Sequence, residues 1–208
     1  SIQSPNFEVD FSLFNLEMGA DVFVVIEHFE GCTPRFLNPE ILLPESTFVL
    51  ADIQMRDNTI LEWSTTNETS ILDYDIEQFK WNHWVSVGQY RGKGSQTKNK
   101  YSFKVPLHSG VNKFRVTQTD NSGEKRISEE VTQESTIQEF SMTPTSVRND
   151  IFFYSGGRKK KTRYEVFDAF GNLLKVGFAD HVDCRNIVNG IYYMNYDNKN
   201  EKFLKASE

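Results

Sequence analysis

Two cysteine–histidine pairs offer the first candidate chemistry in this chain, His28 with Cys32 and His181 with Cys184. A thiol beside an imidazole is the composition of a nucleophile and its base. In strand or loop context these offsets do not force the side chains together, so no catalytic residue is assigned. The four histidines, His28, His83, His108 and His181, make no metal-ligand spacing. "DNSGE", from Asp120 to Glu124, superficially has the look of a calcium loop but lacks the later bidentate glutamate. A hairpin turn explains it. No glycine-rich phosphate loop precedes a helix, and no Gly-Xaa-Ser-Xaa-Gly elbow occurs. The chain therefore reads as non-enzymatic, with no metal and no other cofactor expected.

Binding chemistry is better represented. "RKKKTR" packs Arg158, Lys159, Lys160, Lys161 and Arg163 into six positions. Such a run suits anionic lipid headgroups, lipopolysaccharide or an acidic partner. It also suits a solvated loop whose like charges discourage edge pairing. Trp81 and Trp84 flank Asn82-His83, and alternation would leave one ring outward, as an interface anchor or as core. "GCTPRFLNPEILLP", residues 31–44, carries Pro34, Arg35, Pro39 and Pro44. Proline cannot donate to a ladder, so this is a stiffened connection, either a docking loop or a crossover between sheets.

The elements that must position these residues are strands. Hydrophobic residues are 38% of the 208, but aromatics are 13%, which favours a β-rich core. "FEVDFSLFNL" alternates Phe7, Val9, Phe11 and Leu13, a turn follows at Met18–Asp21, and "VFVVIEHF" completes a predicted N-terminal β-hairpin. From Thr47 short strands recur: "TFVLADIQM", "TILEWST", "YDIEQFKW", "HWVSVGQY", "KYSFKV", "NKFRVTQT" and "KRISEEVTQ". Their turns hold Asp57-Asn58, Asn82 and Gly123, residues tolerant of positive φ. Even spacing of this kind argues an antiparallel sandwich. The polar stretch "ESTIQEFSMTPTS" marks a boundary near residue 138, and a second, smaller β-sandwich follows it. The expected organisation is a hairpin and proline-rich loop over 1–46, a sandwich over 47–136 and a small sandwich over 140–208.

Charge supports the division. The net charge of −6 is uneven: residues 1–136 hold 12 Lys+Arg and 20 Asp+Glu, residues 137–208 hold 11 and 9. No basic stripe with aromatic platforms points to nucleic acid, and no apolar run reaches the roughly 20 residues of a membrane helix. Cys32 and Cys184 are far apart in sequence, and both a long-range disulfide and two separate thiols remain open. The chain starts at Ser1 without a basic, apolar signal segment, as a processed exported protein or a trimmed one would.

Residues 47–133 resemble a fibronectin type III-like repeat common in exported proteins of the Bacteroidota. The resemblance is carried by Trp63, Thr65, Glu68, Tyr74, Ile76 and Glu77, then Gly92, Gly94, Ser95, Phe114, Arg115, Gln118, Asp120 and Gly123. Residues 140–208 resemble the type A C-terminal sorting domain of the type IX secretion system. Here the matching positions are Tyr164, Val166, Phe167, Asp168 and Gly171, then Val182, Asp183, Ile187, Gly190 and Tyr192, then Lys202, Phe203 and Lys205. The family usually opens with Pro-Asn-Pro, where this chain has Thr143-Pro144-Thr145.

The resemblance implies an extracytoplasmic protein associated with the outer membrane, on the cell surface or in the periplasm. A sorting domain is usually an address, cut off after export of an enzyme or adhesin. Here only a fibronectin-like repeat and a short N-terminal segment precede it, so the tag-like module is expected to be a permanent part. The expected function is an accessory protein-interaction subunit of a surface assembly, first among them the type IX translocon. An ordinary secreted substrate of that system is the alternative. Protein partners, rather than nucleic acid, are expected, with membrane-surface contact through Arg158–Arg163 as a further reading.

Overall fold

The computed structural model describes residues 8–15, 22–27, 30, 31, 33, 35, 48–68, 70–120 and 123–206. The first β-rich unit is built from β1 (Val49–Arg56), β2 (Ile60–Thr66), β3 (Asp73–Lys80), β4 (His83–Arg91), β5 (Asn99–Lys104), β6 (Gly110–Thr119), β7 (Lys125–Ile127) and β8 (Val131–Ser135). One sheet has the order β1-β2-β5, the other β4-β3-β6-β7, with β8 also on β6, and every pairing is antiparallel. This is the expected fibronectin type III-like sandwich. The predicted strand "KRISEEVTQ" is broken in two. The backbone leaves the ladder at Ser128, whose hydroxyl accepts the Val116 N–H at 2.9 Å while its own N–H donates to the Val116 carbonyl.

Alternation decides what lies between the sheets. Leu61 and Trp63 of β2 point inward with Tyr74 and Ile76 of β3 and Phe114 and Val116 of β6, all buried. Trp63 stacks on Tyr101 with ring centroids 5.1 Å apart and meets Tyr74 edge-on at 5.8 Å.

A carboxylate sits beside these rings. Glu68, 1% exposed, lies between β2 and β3. Its Oε1 accepts the Tyr101 hydroxyl at 2.6 Å, the Tyr74 hydroxyl at 3.1 Å and the Thr65 hydroxyl. Its Oε2 accepts the backbone N–H groups of Lys93 and Gly94 at 3.1 and 2.9 Å. Burial pushes this carboxyl up, but the bonds from Thr65, Tyr101, Gly94 and Tyr74 outweigh it and hold it below its ordinary value. Gly94 adopts φ +64°, and a Cβ there would press on the Ser70–Ile71 backbone, so a glycine is what lets this N–H reach the carboxylate.

The second unit comprises β9 (Phe140–Thr143), β10 (Ser146–Val147), β11 (Asp150–Ser155), β12 (Arg158–Lys159), β13 (Thr162–Asp168), β14 (Leu173–Ala179), β15 (His181–Asp183), β16 (Gly190–Tyr196) and β17 (Lys199–Lys205). Its sheets run β10-β17-β16-β13-β14 and β12-β11-β15, with β9 on β11. Phe153, Tyr196, Met194, Val166 and Phe203 fill the space between them.

The sorting-domain-like positions do local structural work. Asp168 closes the β13–β14 turn by accepting the N–H groups of Phe170 and Asn172, both at 2.9 Å, and Gly171 takes φ +86°. Tyr164 packs on Phe153 with centroids 5.8 Å apart. Tyr192 stacks on Phe203 and donates to the Val188 carbonyl at 2.8 Å. Lys205 pairs with Gly190 in the β16–β17 ladder and sends its ammonium to the Arg148 carbonyl at 2.6 Å, while Lys202 stays exposed.

One expectation needs correction. The N-terminal β-hairpin is not seen among the described residues: Phe11–Phe14 form a 3-10 turn and Val22–Glu27 lie in no strand. Alternation alone does not make a strand, which needs a ladder partner, and Phe23 and Val25 remain 87% and 85% exposed. Of the polar stretch, Glu134 and Ser135 end β8, residues 136–139 lie between the last strand of one sandwich and the first of the next, and β9 and the start of β10 follow. Phe140 and Met142 are buried on alternate positions of β9, and Ile137 packs against the second core.

Candidate functional site: a basic cleft between the sandwiches

The β3–β4 connection is a two-residue turn, Trp81-Asn82, with φ of +56° and +64°. Such a turn prefers asparagine and glycine. A tryptophan in the left-handed region costs roughly 1–2 kcal/mol and persists only where its surroundings hold it. The second sandwich is what holds it. Trp81 is 8% exposed, and its indole N–H donates to the Asp197 carbonyl at 3.1 Å. Asp197 opens the β16–β17 turn at φ +48°. Its Oδ1 accepts the Ser109 N–H at 2.9 Å, and its Oδ2 accepts the Ser109 hydroxyl. Asn198 returns a bond from Nδ2 to the Ser109 carbonyl at 2.9 Å.

Ser109 is itself fixed. It sits between β5 and β6 beside Asn112, a fully buried amide. The Asn112 Oδ1 accepts the His108 N–H at 3.0 Å and the Gln78 amide at 2.8 Å, while its Nδ2 donates to the His108 carbonyl at 3.0 Å. The junction thus joins two turns of the first sandwich to one of the second. Asp197→Ala removes an anionic acceptor from two Ser109 donors. It should cost about 1–3 kcal/mol by chemical unfolding, and a loss below that range would mean water already satisfies Ser109.

Beside the junction lies a cleft of about 460 Å³. Leu107, Ile137 and Phe140 supply apolar surface, and Val85 and Val87 of β4 with Phe178 of β14 add to it. Lys80, Lys160, Lys161 and Arg163 supply four positive charges. The one carboxylate among the described lining residues, Asp197, is committed to Ser109. Lys80 lies 4.3 Å from the centroid of the Trp81 ring. Burial, and then the charge of Arg163, pull this ammonium below its ordinary range. His108 also lines the cleft. Its Nδ1–H donates to the Ser109 carbonyl at 2.7 Å, and its Nε2 is buried without a partner among the described residues.

The structure divides the candidate residues. Trp81, Lys160 and Lys161 meet at the cleft although about eighty positions separate them in sequence. Trp84 does not join them: it packs on Phe79 at 5.4 Å and under the Arg115 guanidinium at 4.1 Å. Arg115 in turn binds the buried Glu77 at 2.6 Å, and Lys125 reaches the same carboxylate at 2.7 Å. Trp81 occupies the turn, and Trp84, the ladder partner of Phe79, lies half-buried outside the sandwich core under the Arg115 guanidinium. Arg158 and Lys159 form β12 rather than a loop, and the Lys159 ammonium lies over the Phe152 ring at 3.6 Å. Arg35 is exposed, and Pro34 and Pro39 fall outside the described residues. Asp197, Ser109 and His108 were not singled out from the sequence, where nothing local marks a partner 88 positions away.

The His181–Cys184 pair does not form a site. His181 points outward and pairs with Asp180 at 2.9 Å, while Cys184 is buried and donates to the Val182 carbonyl. Burial pushes this thiol up to about 11, so it is not a thiolate at neutral pH. His28 and Cys32 lie outside the described residues. In "DNSGE" Asp120 accepts the Glu124 N–H at 2.9 Å, the work of a hairpin turn. No helix among the described residues is long and apolar enough to cross a membrane.

No family model matches the chain, and no curated protein matches it. Among solved structures it is similar to a tetra-tandem repeat from the extending region of a large adhesion protein, at 12% identity and TM-score 0.31 over 74% of this chain. It spans about half (49%) of that repeat's length. The fibronectin(III)-like modules of Clostridium thermocellum CbhA match at 11% identity and TM-score 0.26, over 76% of this chain and 94% of theirs. Extracellular domains 3–5 of Drosophila OTK match at 13% identity and TM-score 0.31, over 79% and 66%. At these scores the superpositions are partial, and the assignment of the first sandwich rests on its own strand order.

Proposed function

We propose that this chain is a non-enzymatic, accessory protein-interaction subunit of an extracytoplasmic assembly at an outer membrane or cell surface. The type IX translocon is the assembly that its sequence resemblance points to first. The observation that carries the reading is the Trp81–Asp197–Ser109 junction. A module destined only for removal needs a flexible, accessible linker. Here residues 136–139 join the sandwiches, Lys199 holds Glu139 at 3.0 Å, and Ser155 donates to the Gln138 carbonyl at 2.7 Å. The C-terminal sandwich serves as a permanent half of the protein, and the cleft exists only while both halves are present.

The test is a gentle pull-down of a tagged copy from outer membranes, with intact-mass measurement of the recovered chain. Recovery of the chain through Glu208 together with an outer-membrane barrel is the expected result. A chain ending near residue 138 and recovered alone from the medium would overturn the reading in favour of an ordinary secreted substrate.

A further inference from the structure

The cleft has two properties that together specify an occupant. It is cationic, with Lys80, Lys160 and Lys161 beside an Arg163 that pairs with Glu165 at 3.6 Å, and the one lining carboxylate among the described residues, Asp197, is committed to Ser109. One wall is the terminal strand β4, which among the described residues has a single ladder partner, β3, and so offers its other edge to strand addition. A bulge at Val87 confines a new ladder to the stretch before it. A bare anion has nothing to pair with a strand edge, whereas a peptide backbone brings one N–H and one C=O per residue. An extended peptide with apolar side chains and acidic groups meets both.

The chain carries such a segment. Residues 1–47 hold eight Asp+Glu and one Arg. Within them Val22–Glu27 has a strand-like pattern, no ladder and exposed apolar side chains, with Glu27 and Glu30 at its end. Six residues in extended form span about 20 Å. We propose that the cleft of one copy takes the Val22–Glu27 segment of a second copy as an added strand, with its acidic groups against Lys160 and Lys161. The donating and accepting surfaces differ, so association runs head to tail and continues past the dimer. This goes beyond the reading above and does not depend on the identity of any assembly.

Sedimentation velocity of the full chain tests it, over a wide concentration range at low and high salt. The wild type is expected to self-associate, and to do so less at high salt. Lys160→Glu with Lys161→Glu, and separately Glu27→Lys with Glu30→Lys, are each expected to weaken association about tenfold or more. All four side chains are exposed, and circular dichroism verifies the fold of each variant. Mixing the two charge-reversed chains is expected to restore association between them. A wild type that stays monomeric throughout, including one that binds a different acidic protein, overturns the proposal. So do variants that associate like the wild type, or a mixture that fails to recover.

Discussion

Replacing Glu68 by alanine is expected to lower the stability of the first sandwich by about 3–5 kcal/mol, the scale seen when one member of a buried charged network is deleted. The carboxylate accepts three hydroxyl groups and two backbone N–H groups at a site 1% exposed. Alanine leaves four of these donors without their acceptor beside the Trp63–Tyr101 stack, while the Lys93 N–H keeps the Tyr101 hydroxyl at 3.0 Å. Glutamine is milder in shape, but it brings an NH₂ donor into a site whose partners already donate. Urea unfolding measures the difference, and a loss under about 1 kcal/mol for alanine would show that water replaces the carboxylate.

The same group makes stability depend on pH. Its folded value lies below the ordinary 4.5, so the native state favours the ionised form. Its contribution is therefore complete above about 4.5 and is lost as pH falls through the lower folded value. Glu77 lies below its ordinary value too: burial pushes it up, and Lys125 and Arg115 more than compensate. The contribution of Glu68 is thus read as the difference between wild type and Glu68→Gln, which should narrow as pH drops below 4.5.

Trp81→Ala is the second large effect, with an expected loss of about 3 kcal/mol from removal of a buried ring. Alanine inherits the positive φ and so recovers none of the backbone cost. Because the ring is shared by the two sandwiches, the variant should also uncouple them. Calorimetry is expected to show one transition for the wild type and two for the variant. A single transition in the variant, shifted by under about 1 kcal/mol, would mean that the Asp197–Ser109 bonds suffice.

Much of the fold was legible because period-two alternation and turn chemistry agree. The strands "TILEWST" and "KYSFKV" bury Leu61, Trp63 and Tyr101 at alternate positions, and Asp57-Asn58, Asn82 and Gly123 take the positive φ their turns call for. The N-terminal hairpin was misread because the same alternation occurs in a segment that the described ladders leave unpaired. The cleft was half legible. Trp81 and the lysine run were singled out separately, but the bond that joins their neighbourhoods spans 116 positions. The available signal was a tryptophan where a tight turn calls for asparagine or glycine.

The claim at the centre of this account is that the two sandwiches form one rigid body around a built junction. Residual dipolar couplings of the backbone amides test it without any substitution. One alignment tensor fitting residues 49–135 and 140–205 together is the predicted result. Tensors of different magnitude or orientation for the two sandwiches would show independent motion. That would contradict the junction, the cleft and the permanent role of the C-terminal half.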